Sequence, residues 1–153
     1  MTEQSSSGSW RFAKQSWLLT AATTGLVIIA SVAIMPAWGV FAAWFGFVYL
    51  VAFTLALLVL LVTSAKSLDA LGPARRFGRH TAAGAVAVVL TLIYAVVNGA
   101  LFSGTPTGTV VEIQLVHSAL FFVPSLLIAG VRAAVQARKD ARARSREDES
   151  ARI

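Results

Sequence analysis

Four stretches of this chain are too long and too apolar for the remaining residues to cover. They run from Leu18 to Met35, Trp38 to Val62, Thr81 to Phe102 and Val110 to Val131. Each is close to the length a helix needs to cross a hydrocarbon core of about 30 Å. The chain has 153 residues, of which 57% are hydrophobic and only 13% charged. A soluble domain carries about a quarter charged residues. In lipid every backbone polar group must be satisfied within its own segment, which leaves helices as the spanning form for runs of this length. The sequence therefore predicts an all-α integral membrane protein with four transmembrane helices.

Orientation follows from the basic residues. Arg11 and Lys14 precede the first span. Lys66, Arg75, Arg76 and Arg79 lie between the second and third. Arg132, Arg138, Lys139, Arg142, Arg144, Arg146 and Arg152 follow the fourth. In a four-span arrangement all thirteen Lys and Arg fall on one side. The opposite connections, Pro36–Ala37 and Ser103–Thr109, carry none. The positive-inside rule makes the basic side cytoplasmic. The expected architecture is an antiparallel bundle with both termini inside and the last helix prolonged into the cytoplasm. The high arginine content, ten against three lysines, points to a GC-rich bacterial gene, hence to a bacterial plasma membrane. This distribution also turns the net charge of +6 into a record of membrane orientation. A nucleic-acid-binding chain would carry a recognisable module beside its basic patch, and none is evident here.

The expected divisions are a disordered, serine-rich N-terminus with an interfacial segment over 1–16, a transmembrane domain over 17–131 and a basic tail over 132–153. Residues 11–35 superficially resemble a signal peptide, but the apolar run exceeds the usual 7–15 residues and reads as a span. The tail lacks helix breakers and is expected to stay helical until the acidic Glu147-Asp148-Glu149. Pro124 removes one backbone hydrogen bond from the fourth span and predicts a kink near Leu120.

Helices in lipid gain little from apolar contact with one another, so small and polar residues mark the packed faces. The spacing puts Thr20, Thr24, Val27 and Ser31 on one face of the first span. Ala42, Gly46, Tyr49, Phe53 and Ala56 align on the second. His80, Gly84, Ala87, Thr91, Tyr94 and Asn98 align on the third, and Gln114, His117, Ser118, Phe121 and Ser125 on the fourth. These faces are expected to point at one another.

Within them lies the chemistry the chain can offer. Tyr94, Asn98, Glu112, Gln114, His117 and Ser118 are expected at similar depth and form the candidate polar cluster. Glu112 is the one acid on the non-basic side, and Thr109-Val110-Val111-Glu112 matches a helix capping box. His80 and His117 are expected about 20 Å apart in depth, too far to share one haem; a His117–Met35 pair is the combination that depth permits. Arg75, Arg76, Arg79, Arg132, Arg138, Lys139 and Arg142 are the candidate contacts for anionic headgroups or an acidic partner.

The chain has no cysteine, which excludes disulfides, thiol redox chemistry and thiolate metal sites. It has no phosphate-binding glycine motif, no HExxH, no GxSxG and no paired carboxylate within a span. These observations favour a non-enzymatic accessory, assembly or scaffolding subunit of a larger membrane complex, respiratory or cell-envelope, without a cofactor. Its partners would be the lipid bilayer, anionic headgroups and another membrane protein or a second copy. The runner-up is a small homo-oligomeric transporter or flippase using the polar cluster. The third reading is a haem- or quinone-binding electron-transfer protein.

Overall fold

The computed structural model describes residues 3–63, 72–99, 104 and 106–150, with side chains for 10–63, 72–99, 104 and 106–146. Lys66, Arg152, the end of the third apolar run at 100–102, and Ser103 and Thr105 of its following loop lie outside these. The described chain is four helices: α1, Glu3–Ile34; α2, Pro36–Thr63; α3, Pro73–Asn98; and α4, Thr107–Ser150. All four are long and apolar enough to cross a membrane.

The helix boundaries follow from local chemistry. Met35 is the single residue between α1 and α2: its N–H donates to Ser31 O at 2.9 Å, and its carbonyl accepts from Trp38 N–H at 2.9 Å. Pro36 supplies the first position of α2, where a missing N–H costs nothing and φ is preset. Gly72 and Pro73 open α3 the same way, with the Gly72 carbonyl accepting from Arg75 and Arg76. The basic patch is therefore helical, in the first two turns of α3. Gly104 sits at φ 61 before α4, a backbone region that glycine enters without a Cβ clash.

Three expected boundaries shift. Helix α1 runs back to Glu3, over residues read from sequence as disordered. From Trp10 onward a packed face accounts for this, because Phe12, Ala13 and Ser16 are buried. Helix α4 starts at Thr107, and the Pro106 carbonyl accepts from Val110 N–H at 3.2 Å. Thr109 is then inside the helix and not its N-cap, so the Thr109–Glu112 capping box does not form. At the other end α4 continues unbroken through Pro124 and along the basic tail to Ser150.

Around the bundle the packed neighbours are α1–α2, α2–α3, α3–α4 and α4–α1, with α2 and α4 also in contact. The interior is made of small and hydroxyl residues around three aromatic rings. Tyr49, Phe53 and Phe121 are fully buried, with Tyr49 stacked 5.9 Å from Phe121. Most large aliphatics face outward: Val40 is 74% exposed and Leu127 64%. A soluble bundle does the reverse. Apolar surface this continuous is covered in the native setting, and a bilayer is the cover that suits it.

Glycine lets the helices approach. A methyl on Gly84 would overlap the Phe122 ring, and one on Gly46 would lie 2.9 Å from Ile28 Cδ1. The small-residue stripe expected on α2 is buried from Ala42 through Ala56. On α3 the expected face holds as far as Thr91 and then diverges. Burial passes to Ala95 and Gly99, while Tyr94 and Asn98 are exposed. Successive residues lie about 100° apart on a helix, so α4 can meet only one of the two rows. It meets the smaller one, where a methyl on Gly99 would come within 2.9 Å of Val110 Cγ2.

Candidate functional site

The interior polar groups form two interhelical clusters. In the first, Ser125 Oγ of α4 lies 2.9 Å from His80 Nε2 of α3 and 3.2 Å from Thr20 Oγ1 of α1. One hydroxyl thereby ties three helices. In the second, Thr91 Oγ1 lies 3.1 Å from Ser118 Oγ, which also accepts from Gln114 Nε2 at 3.2 Å. Trp17 Nε1 adds a bond to Thr54 Oγ1 at 3.0 Å between α1 and α2. The Thr24 hydroxyl, the Tyr49 hydroxyl and Gln114 Oε1 are buried and have no partner among the described residues.

The six residues of the candidate polar cluster do not meet in one place. Gln114, His117 and Ser118 are buried, whereas Tyr94, Asn98 and Glu112 are exposed. Gln114 and Ser118 join Thr91. His117 faces a different neighbourhood, with its ring centroid 4.1 Å from Phe45 and 6.1 Å from Trp38. The face of α4 alone does not reveal this split, because adjacent residues of one stripe meet different partner helices.

No protein-family model, no curated protein and no solved structure matches this chain. Function must therefore be read from the residues themselves.

Among the described residues, two cavities lie at different heights along α4. The first, about 440 Å³, is polar. Gln15 and Ser16 of α1, Arg76 and His80 of α3, and Arg132 and Gln136 of α4 line it above an apolar floor that includes Phe12 and Phe77. Of the seven residues assigned from sequence to headgroup or partner contact, this cavity brings together Arg76 and Arg132. Arg75 is exposed near it in sequence, Arg79 is half-buried, and Arg138, Lys139 and Arg142 are exposed along the tail. Arginines in the first turns of α3 oppose the helix dipole, which favours an anion beside them. Asp140 also lines the cavity and accepts from Gln136 Nε2 at 3.0 Å. It lies about 12 Å along α4 from Arg132.

The second cavity, about 500 Å³, is lined by Ala37, Trp38, Phe41 and Phe45 of α2 with Ile113 and His117 of α4. Met35 is not in its wall. His80 and His117 line different cavities. Among the described residues no group of three or more His, Cys, Asp or Glu comes together.

Proposed function

We propose that this chain is a multi-pass protein of a bacterial plasma membrane, with antiparallel helices and both termini cytoplasmic. In this reading it is a non-catalytic accessory or scaffolding subunit of a larger membrane complex. The topology is supported by the distribution of charge. The polar cavity gathers the starts of α1 and α3 with residues 129–140 of α4, all segments rich in Lys and Arg. The aromatic cavity gathers the starts of α2 and α4, which have none.

One observation carries the subunit reading. Trp44 is 53% exposed and touches Phe47, with ring centroids 6.3 Å apart. Its indole N–H has no hydrogen bond among the described residues. It lies about 12 Å along α2 from Pro36, below the interfacial belt where tryptophan normally rests with its N–H in the headgroups. A donor left in hydrocarbon is costly, and an acceptor on a neighbouring membrane protein removes that cost. Trp38, Phe41 and Phe47 are further exposed aromatic residues of α2.

The test is mild-detergent purification with mass spectrometry, together with a photo-crosslinking residue at position 44. A stoichiometric partner crosslinked at 44 supports the reading. Recovery of a lone monomer that crosslinks only lipid overturns it.

A further inference from the structure

The subunit reading makes no use of His117, whose surroundings are specific. The side chain is 7% exposed. Its Nδ1 lies 2.7 Å from the Ile113 carbonyl. A carbonyl oxygen only accepts, so Nδ1 carries the proton. In the neutral imidazole Nε2 is then a lone-pair acceptor. Nε2 has no hydrogen bond among the described residues. The ring is buried while its Nε2 faces the cavity with no partner among the described residues, which leaves an acceptor open to a donor bound there.

The cavity it lines narrows what that donor belongs to. The walls are Trp38, Phe41, Phe45, Ile113 and Ala37, flat and apolar apart from the indole N–H. No lining residue is charged, and the described lysines and arginines lie in other segments. A haem would present ionised propionates here without a cation to meet them. A fatty acyl tail would fill the space and leave Nε2 unanswered. What fits is an uncharged, membrane-soluble molecule with an aromatic ring and a hydroxyl donor.

We propose that the His117 cleft binds the head of a hydroquinone-type lipid. A phenolic O–H donates to His117 Nε2, and the ring lies against Trp38 and Phe41. The tautomer sets the direction of selectivity. The oxidised quinone offers only acceptors, so it cannot satisfy Nε2. The site is therefore selective for the reduced form, and it is a binding site whether or not the chain also has a partner subunit.

The test is calorimetric titration of the purified protein in lipid nanodiscs under anaerobic reducing conditions. Three probes are compared: a short-chain hydroquinone, its quinone (titrated without reductant) and its dimethyl ether. The expected result is that the hydroquinone binds at least about tenfold more tightly than either other form, the scale of one unpaired hydrogen bond. In His117→Phe the preference disappears; in His117→Gln, whose amide oxygen can accept, part of it returns. Should His117→Phe not fold, the ¹⁵N resonance of Nε2 in the unaltered protein is the second readout. It moves with hydroquinone and stays put with the dimethyl ether. Equal binding of all three probes, an undiminished preference in His117→Phe, or a Soret band that depends on His117 overturns the proposal.

Discussion

Ser125 Oγ and His80 Nε2 are 2.9 Å apart across the α3–α4 interface, and the same oxygen reaches Thr20 of α1. Removing it leaves two buried polar groups unanswered. Ser125→Ala is expected to destabilise the fold by about 1–3 kcal/mol, since orphaning a buried donor or acceptor costs more than the bond itself. Unfolding of the purified protein in mixed micelles measures this. A loss below a few tenths of a kcal/mol would mean that the three helices are held together without this link.

Thr20 and Thr24 lie one turn apart on α1 and are both fully buried, but only Thr20 has an interhelical partner. Thr20→Val should destabilise by about 1 kcal/mol, while Thr24→Val should be neutral or stabilising by a similar amount because it deletes an orphaned hydroxyl. The same micelle unfolding assay compares them. Equal effects would show that Thr24 has a partner that the static geometry does not reveal.

Gly84 receives the Phe122 ring where a side chain would begin. Gly84→Ala is expected to cost about 1–3 kcal/mol through overpacking. Trimming the ring in Gly84→Ala/Phe122→Leu should recover part of that loss, a coupling that a double-mutant cycle isolates. Additive losses would show that the ring moves aside freely.

The absence of cysteine makes topology directly measurable. Thr107→Cys and Ala141→Cys each create a single exposed thiol at opposite ends of the chain's charge pattern. In intact cells a membrane-impermeant maleimide is expected to label position 107 and to label 141 only after lysis. The reverse pattern would invert the assignment made from the positive-inside rule.

Arg76 and Arg132 share the polar cavity. Replacing both with Gln should reduce co-purifying anionic phospholipid severalfold, at about 1 kcal/mol per arginine near the headgroups. Lipid mass spectrometry reads the change. Arg144→Gln/Arg146→Gln, on the exposed tail, serves as the control and should change it little.

Much of the packing is legible in the spacing of residues along the chain. The stripe Ala42, Gly46, Tyr49, Phe53 and Ala56 is read off a 3.6-residue repeat and is buried throughout. Gln114, His117, Ser118, Phe121 and Ser125 are likewise all buried. The reading fails where two neighbouring rows compete. Tyr94 and Asn98 look like interior residues because they are polar, but Ala95 and Gly99 win the interface because they let α4 come closer. The capping box fails for a different reason: Thr109 and Glu112 have the right spacing, but the Pro106 carbonyl starts the helix earlier.

By itself the sequence determined that four helices are long and apolar enough to lie in lipid, and that every lysine and arginine falls before the first apolar run, between the second and third, or after the fourth. Those are one-dimensional properties, set by run length and charge order along the chain. Only the tertiary structure decided what the interior polar groups do. Partner choice depends on helix rotation to within one residue, which no spacing rule resolves. That rotation sends Ser118 to Thr91 and its neighbour His117 to Phe45 and Trp38. It thereby separates a structural hydrogen bond from an imidazole whose acceptor is left open.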